Sequence, residues 1–334
     1  MTIRRRTFIH AGAVALGMPA AAAHAQSGAA AALDWPTKPV KFVVPFAPGG
    51  GADVATRMLA DQLRTVWGGR QSAIVDNKTG ANTIIAVNSV LGAPSDGHTF
   101  LATINLTFQL PHLGQKLPFN PMTDLIPVGA ITLEQLVLVV NPNLGVKSFA
   151  DFAEKAGKDP KAFSFGTFGV GSTAHLVAAE IAKQKKIDMV IAHYRGAAPA
   201  VQAVLSGEVS MALSNFGSVQ QHIAAGRLVP IAVTGAKRYR FAPDVPTLKE
   251  LGLPIMESPS WIGVFAPRGT PAEVVQKLGA DMRTALQAPE LVQKINGFYQ
   301  EPGLMSVEEF QALVKRDDTY AGGMIRAHQI RLEQ

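Results

Sequence analysis

The sequence predicts an α/β fold whose sheets are largely parallel. Short runs rich in Val, Ile and Phe alternate with amphipathic stretches, and turns rich in Gly, Ala and Ser lie between them. This alternation is typical of sheets whose strands are joined by helices. The length of 334 residues favours two domains rather than one.

Eight short apolar runs are the predicted strands. They cover residues 40–46, 72–77, 99–105, 136–142, 163–169, 189–196, 209–215 and 228–235. After the first run comes a glycine turn, and the apolar residues at positions 54, 55, 58, 59 and 63 then fall on one face of a helix. Towards the C-terminus, Thr270 before Pro271 and Ser306 before Glu309 are typical signals of helix starts.

The first 25 residues have the pattern of an export signal. Three arginines at positions 4–6 precede a moderately apolar stretch that ends in Ala23-His24-Ala25, a typical cleavage sequence. We therefore predict a signal peptide over residues 1–25, a linker over 26–35 and a mature protein in a bacterial periplasm. The arginines resemble a twin-arginine signal, and an ordinary secretory signal is the alternative.

Composition and charge exclude several classes of function. The chain contains no cysteine, so disulfides, thiol nucleophiles and cysteine-ligated metals are ruled out. The formal charge of +6 falls to +3 once the three arginines of the predicted signal peptide are removed. The sequence has no dense stripe of Lys and Arg, and we therefore expect no nucleic-acid partner.

Three turns share one design and are the candidate binding elements. Residues 47–53, 166–175 and 194–200 each join a predicted strand to a predicted helix through small residues. Helix N-termini carry unpaired N–H groups and the positive end of the helix dipole, so each turn suits an anion. Ser172 adds a hydroxyl donor, and Arg195 adds a positive charge. Because ligands bind outside the carboxyl ends of strands in open α/β sheets, the turns predict one shared anion site.

A nucleotide is the weaker interpretation of these glycines. Gly49 and Gly51 begin a dinucleotide fingerprint, but Val54 occupies its third glycine position, although Asp76 lies near the expected acid. Residues 166–173 have the spacing of a phosphate loop, but Ser172 occupies the position of its lysine. The anion of the shared site is therefore expected to be something other than a nucleotide.

An exported α/β enzyme, a hydrolase or an oxidoreductase acting on a small organic acid, is the alternative class of function. The sequence has neither a Gly-x-Ser-x-Gly elbow nor a His-Glu-x-x-His pair. Ser172 and His175 could form a catalytic pair, although helical spacing alone does not place a base on a nucleophile. We favour local hydrogen bonding for His175 and His193, and complementation of the helix dipole for Asp53.

Longer stretches of the chain resemble one family. They are WPTKPVKFVVPFAPGGGADVATRMLADQL, PSDGHTFL, LPFNPMTDLIPV, GSTAHLVAAE, YRGAAPAVQAVLSGEV, IAVTGAKR, PDVPTLKELGLP and WIGVFAPRGTP. With these stretches the chain resembles, nearly end to end, the Bug family of periplasmic solute-binding proteins, the receptors of tripartite tricarboxylate transporters.

The resemblance implies a type II periplasmic-binding-protein fold, in which two α/β lobes enclose a ligand cleft. Lobe 1 would comprise residues 36–134 and 260–334, and lobe 2 residues 135–259, with hinge crossings near 132–136 and 255–261. The resemblance also implies a receptor without chemistry of its own. It would hold a di- or tricarboxylate or an aromatic acid and deliver it to the membrane subunits of the transporter. We expect a monomer with no catalytic residue, metal or cofactor.

The turns and the resemblance together nominate the ligand-binding residues. They are Phe46, Ala47, Gly49, Gly50, Gly51, Asp53, Asn82, Thr103, Asn105, Phe168, Ser172, Thr173, His175, Arg195 and Asn215. Two departures from the family's pattern bear on the ligand. Residues 80–83 read Gly-Ala-Asn-Thr where the family usually has Gly-Ala-Gly-Gly, which would reshape the mouth of the cleft. Residues 213–215 lack an acid that the family often has there, and its absence disfavours amino-acid ligands.

Overall fold

Eleven strands, eleven α-helices and three short 3-10 helices are seen among the residues that the structure, a computed structural model, describes: Thr2, 33–159 and 161–332. The strands are β1 (Val40–Val44), β2 (Ala73–Asn77), β3 (Thr99–Ile104), β4 (Leu125–Glu134), β5 (Leu136–Val140), β6 (Ser164–Thr167), β7 (Val190–His193), β8 (Met211–Asn215), β9 (Val229–Val233), β10 (Ser260–Pro267) and β11 (Glu301–Pro302). Each of the eight predicted strands matches one of these, and their observed ends lie within a few residues of the predicted ones.

The helices fill most of the connections between strands. They are α1 (Gly51–Val66), α2 (Ile84–Leu91), α3 (Leu106–Gln109), α4 (Pro121–Asp124), α5 (Phe149–Lys158), α6 (Thr173–Lys185), α7 (Ala197–Ser206), α8 (Phe216–Ala224), α9 (Ala272–Leu286), α10 (Pro289–Gly297) and α11 (Val307–Ala327). Ser306 and Glu309 form the predicted capping box at the start of α11. The helix after Thr270 begins at Ala272, one residue later than its cap signal predicts, because Pro271 is still in an extended conformation.

The first sheet has the strand order β11-β4-β10-β3-β1-β2. Strands β1, β2 and β3 are parallel, and β10 runs antiparallel between β3 and β4. Strands β4 and β3 therefore point in the same direction, so the carboxyl ends of β1, β3 and β4 meet at one edge of this sheet. This edge is where ligands bind in open α/β sheets.

The second sheet has the strand order β7-β6-β8-β5-β9. Strands β6, β7 and β8 are parallel, whereas β5 is antiparallel to both of its neighbours. Leu136 at the start of β5 pairs with Asn215 at the end of β8, so the incoming chain enters beside the carboxyl ends of the parallel strands. The predicted α/β fold is confirmed, but the prediction of largely parallel sheets is wrong, because four of the nine strand pairings among the described residues are parallel and five are antiparallel. Both sheets are mixed, since β5, β10 and β11 run against their neighbours and periodicity does not report strand direction.

The chain passes between the sheets twice. It leaves β4 at Glu134 and enters β5 at Leu136, and it returns between β9 and β10. Each sheet has its own hydrophobic core: Phe42 and Phe100 stack in the first, and Phe152 and Phe163 meet edge to face in the second. The division of the chain into two lobes at residues 134–135 and 259–260 remains a prediction.

The predicted signal peptide lies outside the described residues. The predicted linker ends within them, and there Trp35 is buried, with its indole N–H donating to the carbonyl oxygen of Gly97 at 2.9 Å. The unit that contains both sheets begins at Asp34. None of the described helices combines the length and the apolar character needed to span a membrane.

Candidate ligand-binding site

A cavity of about 390 Å³ lies where the carboxyl ends of the parallel strands of both sheets converge. Phe46 and Ile104 come from the ends of β1 and β3, and Phe168 and Asn215 come from the ends of β6 and β8. The lining residues are Phe46, Asn82, Ile104, Asn105, Leu106, Gln109, Leu110, Leu113, Glu134, Leu136, Phe168, Gly169, Val170, Ser172, Thr173, Gly196, Ala197, Asn215 and Leu332. This volume lies within the range of small-molecule sites, and the mixture of apolar walls and a few polar groups is typical of them.

The structure brings seven of the fifteen nominated residues together around this cavity. They are Phe46, Asn82, Asn105, Phe168, Ser172, Thr173 and Asn215. These residues come from both sheets. Phe46 and Asn215, which are 169 positions apart in the sequence, therefore line the same cavity. Asn105 also joins the two sides directly, since its side-chain amide donates to Thr173 Oγ1 at 3.3 Å.

The other eight nominated residues lie outside the lining of this cavity. Gly49 and Gly51 line a neighbouring depression of about 410 Å³ against residues 217–221 and 297–300. Thr103 is fully buried, and its hydroxyl oxygen lies 2.8 Å from that of Thr107. Arg195 is exposed, although the next two residues of its turn line the cavity. The remaining ones are Ala47, Gly50, Asp53 and His175.

The turn at 166–175 contributes more to the cavity than any other turn. Ser172 is the N-cap of α6, and its hydroxyl oxygen accepts from the N–H of His175 at 3.3 Å while donating to the carbonyl oxygen of Gly169 at 2.6 Å. The backbone at Gly171 has a φ of +74°, which favours glycine. The start of a 13-residue helix therefore faces the cavity beside Ser172 and Thr173.

His175 is held neutral beside this helix start. Its Nδ1 accepts from the N–H of Gly171 at 3.1 Å, a bond that requires this nitrogen to be unprotonated. Burial lowers the pKa of His175 to about 4, and the nearby His193 and His328 contribute to the lowering. The rings of His175 and His193 are 4.5 Å apart at their centroids. At neutral pH the turn thus acts through backbone N–H groups rather than an imidazolium charge.

The Asp53 carboxylate forms hydrogen bonds with its own turn and with two nearby side chains. Its carboxylate is buried and accepts from the N–H of Gly49 at 2.8 Å, from Asn77 Nδ2 at 2.8 Å and from the Arg57 guanidinium at 3.0 and 3.1 Å. Burial by itself raises the pKa of Asp53, but the bonds from Arg57, Gly49 and Asn77 outweigh it and lower the pKa. With these bonds Asp53 stabilises the glycine turn and is turned away from the cavity.

The turn at 80–83 is strained. Three consecutive residues other than glycine have positive φ, at 45° for Ala81, 48° for Asn82 and 78° for Thr83. Such angles are unfavourable for Ala and for a β-branched residue, whereas Asn tolerates them better. The Thr107 hydroxyl donates to Thr83 Oγ1 at 3.2 Å and connects the turn to helix α3. Residues 81–83 therefore have a left-handed backbone without glycine, and Asn82 lines the cavity.

Glu134 and Gln109 line the cavity and were not predicted from the sequence. Glu134 ends β4, and its Oε2 accepts from Gln300 Nε2 at 3.1 Å. Burial raises the pKa of Glu134. Gln109 ends the short helix α3, and its buried Oε1 has no hydrogen-bond partner among the described residues. The predicted crossing at 132–136 contained Glu134, and this was the one signal that could have nominated it.

The described residues contain no group of three or more metal-ligating side chains. The cavity also lacks the phosphate-binding lysine that a nucleotide loop would need, since Ser172 stands in that position. The helix starts and hydroxyl groups around the cavity can hold an anion.

Comparison with known proteins identifies the family. Residues 55–330 match the family described as "Tripartite tricarboxylate transporter family receptor". The chain belongs to this family. The receptor is 34% identical to the "UPF0065 protein in tcbD-tcbE intergenic region" of Pseudomonas sp. strain P51, over 84% of this chain and 82% of that protein. It is 29% identical to protein BugT of Bordetella pertussis, over 87% of this chain and 90% of BugT. The resemblance to the Bug family is thereby confirmed.

Solved structures of similar proteins have the same fold. One is Rpa4515 of R. palustris with adipate, at 31% identity and a TM-score of 0.78, with 89% of this chain and 99% of that chain covered. Another is MatC from Rhodopseudomonas palustris with bound malate, at 26% identity and a TM-score of 0.73, with 87% and 99% covered. The expected binding-protein fold is confirmed. Because the family consists of solute receptors, the enzyme alternative is set aside.

Proposed function

We propose that this receptor captures a small organic carboxylate in the cavity between its two sheets and delivers it to the membrane subunits of a tripartite tricarboxylate transporter. The observation that carries this proposal is the convergence of strand ends, the start of α6 and the hydroxyls of Ser172 and Thr173 on one cavity. This convergence supplies donors to an anion without any basic side chain. Family membership supports the delivery step.

The carboxylate is proposed to lie against the start of α6. The first N–H groups of a helix have no partner within the helix, and the N-cap hydroxyl of Ser172 occupies only one of them, that of His175. The start of α7 adds Gly196 and Ala197 to the same wall. Relatives solved with adipate and with malate support an organic acid as the ligand class. Di- and tricarboxylates and aromatic acids are the candidates within that class.

Delivery is proposed to depend on closure of the two sheets around the acid. Residues near the two chain crossings would act as hinges, and the closed form would be favoured by its higher affinity for the ligand. We place the receptor in the periplasm, since residues 1–25 have the pattern of an export signal and the similar protein BugD is described as a periplasmic binding protein. We expect it to be a monomer. Its expected partners are the acid and the membrane subunits.

Thermal unfolding in the presence of ligands tests this proposal. A ligand that binds only the folded state raises the free energy of unfolding by RT ln(1 + [L]/Kd), or about 2.7 kcal/mol at a hundredfold excess over Kd. We expect at least one acid in a panel of di-, tri- and aromatic carboxylates to raise the melting temperature, while nucleotides leave it unchanged. A shift with nucleotides and none with any organic acid would contradict the proposal.

A further inference from the structure

We infer that Leu113 and Leu332 form an apolar partition between the ligand cavity and a basic groove outside it, and that this partition makes the receptor reject acids with a third carboxylate. The inference rests on the proposed function, because it concerns the acids that the same cavity takes. It makes Leu332 a specificity-determining residue that favours mono- and dicarboxylates over tricarboxylates.

A basic groove of about 920 Å³ lies on the outer side of this partition. Its ten lining residues, all within the described part of the chain, include Arg326, Arg331 and His112 but no acid. The His112 ring is paired with Asp318, since its Nε2 lies 2.7 Å from Asp318 Oδ1. The two arginines are exposed. The groove therefore offers two guanidinium groups to an anion.

The two leucines of the partition line both the cavity and the groove. The backbone N–H of Leu332 donates to the carbonyl oxygen of Leu113 at 3.3 Å, which holds the two residues side by side. The Leu113 side chain packs on Gly171, where an added Cβ atom would come within 2.5 Å of it. Because Gly171 directly precedes the N-cap Ser172, the partition adjoins the start of α6, where the carboxylate is proposed to bind.

The segment after α11 holds Leu332 in this position. Gln329 has a φ of +52°, which is typical of a chain that turns after a helix. Ile330 is then 7% exposed and packs in a hydrophobic cluster between α6 and α11. The His328 ring is anchored to α6, since its Nε2 lies 2.6 Å from Glu180 Oε2. Leu332 is therefore a fixed part of the cavity wall.

The positive charge available inside the cavity is small. Of its nineteen lining residues, all among those that the structure describes, none is Lys, Arg or His. The starts of α6 and α7 each contribute about half a positive charge, and together they balance one carboxylate. Glu134 adds no positive charge whether or not it is protonated, and Lys237 lines a different cavity.

The partition decides what happens to further carboxylates. The side-chain amides of Asn82 and Asn215 can donate to a second carboxylate elsewhere in the cavity. A third carboxylate, placed beside the one at α6, would lie against Leu113 and Leu332. It would lose its hydration there without gaining a cation, which is costly. The arginines that could compensate it lie on the other side of the leucines.

Pairs of acids that differ only in the charge of one branch test the inference on the full chain. The first pair is 2-isobutylsuccinate and tricarballylate, and the second is 2-isobutyladipate and 2-(carboxymethyl)adipate. The third is 2-isopropylterephthalate and trimellitate. In each pair the apolar branch and the carboxylate branch have similar size. Isothermal titration calorimetry at pH 8 gives Kd for each acid, and we expect the dicarboxylate to bind at least about tenfold more tightly than its tricarboxylate partner.

The variant Leu332→Ala opens the partition, and we expect it to reduce the preference for the dicarboxylate at least about tenfold. Leu332→Asn makes the same wall polar with little change in size, and it serves as a second route if the melting curve shows Leu332→Ala to be unstable. Leu332→Met keeps the wall apolar and should keep the preference. The matched control Leu106→Ala shortens a leucine that lines the cavity but not the groove, and it should leave the preference unchanged.

A double-mutant comparison tests the role of the arginines. Arg326→Gln together with Arg331→Gln should leave the preference unchanged while Leu332 is present. In the Leu332→Ala background the same pair of changes should weaken binding of the tricarboxylate at least about threefold, because its third carboxylate then reaches the groove.

The outcomes separate the two levels of the proposal. If a tricarboxylate binds the wild type more tightly than every mono- and dicarboxylate tested, the inference is wrong while the proposed function stands. The same holds if Leu332→Ala and Leu332→Asn keep the wild-type preference, or if Leu106→Ala lowers it equally. If the receptor binds none of these acids and none of the wider carboxylate panel, the proposed function fails and the inference with it.

Discussion

Two glycine-rich turns with the same sequence design have different structural roles. The turn at 47–53 has three consecutive glycines, yet only the preceding Phe46 reaches the cavity. The carboxylate of Asp53 in this turn accepts from Gly49 within the turn and from Asn77 at the end of β2. The turn at 166–175 also has three glycines, which are not consecutive, and it supplies Phe168, Gly169, Val170, Ser172 and Thr173 to the cavity. The difference indicates that the polar side chain next to the helix start decides whether such a turn lines the cavity. Asp53 turns inward and stabilises its turn, whereas Ser172 lies at the cavity wall.

The largest expected effect concerns the first turn. Asp53→Ala removes the acceptor shared by Gly49, Arg57 and Asn77, so we expect the free energy of unfolding to fall by about 2–3 kcal/mol at pH 7. Asp61→Ala, an exposed acid on the same helix, should change it by less than about 0.5 kcal/mol. Urea unfolding measures both. Equal losses in the two variants would show that the turn does not depend on Asp53.

The loss of unfolding free energy on replacing Asp53 should also depend on pH. The folded-state pKa of Asp53 lies below its ordinary value of 3.8, so the carboxylate stabilises the fold above that value and the contribution is lost as the pH falls through the lower, folded pKa. The difference between wild type and Asp53→Asn should therefore shrink below about pH 3.8. A difference that grew on acidification would contradict this assignment.

The second turn offers the sharper test of ligand binding. Ser172→Ala removes an N-cap hydroxyl that also lines the cavity, and Ser148→Ala removes the N-cap hydroxyl of α5, which lies outside it. Both should lose about 1 kcal/mol of unfolding free energy. Only Ser172→Ala should weaken binding of the organic acid, by about tenfold or 1.4 kcal/mol. Calorimetric Kd values that change equally in both variants would assign Ser172 a purely structural role.

The neutral His175 gives a smaller, pH-dependent effect. Its pKa is about 4 in the folded protein and about 6.5 in the unfolded chain, so the unfolded chain binds the proton first and stability falls as the pH drops from 6.5 towards 4. In His175→Gln this loss should be smaller. Urea unfolding between pH 4.5 and 7 compares the two proteins. Parallel pH profiles would indicate that His175 titrates alike in both states.

The turn at 80–83 gives the smallest expected effect. Ala81→Gly relieves a left-handed conformation that costs Ala about 1 kcal/mol, and the added freedom of the unfolded chain offsets part of this. We expect a net gain of about 0.5 kcal/mol. Ala153→Gly, within helix α5, should instead lose about 1 kcal/mol. If both changes destabilise the protein, residues 80–83 are not strained.

The parts that were predicted correctly depend on local patterns. The β-branched runs and the capping box at Ser306 were visible because strand alternation and helix caps are encoded within a few residues. Glu134 was missed because its position at the cavity follows from the order in which β4, β10 and β3 pair. The partners of Asp53 include Asn77, 24 residues away on a neighbouring strand, and no local pattern reports that bond.

The most direct test of the central claim is a crystal structure of the receptor with the organic acid that stabilises it most. We predict a carboxylate of the acid in the cavity at the start of α6, within hydrogen-bond distance of the Ser172 hydroxyl and of a backbone N–H of that helix. An acid bound instead in the depression beside Gly49 and Gly51, with the cavity at Ser172 occupied by water, would contradict the claim.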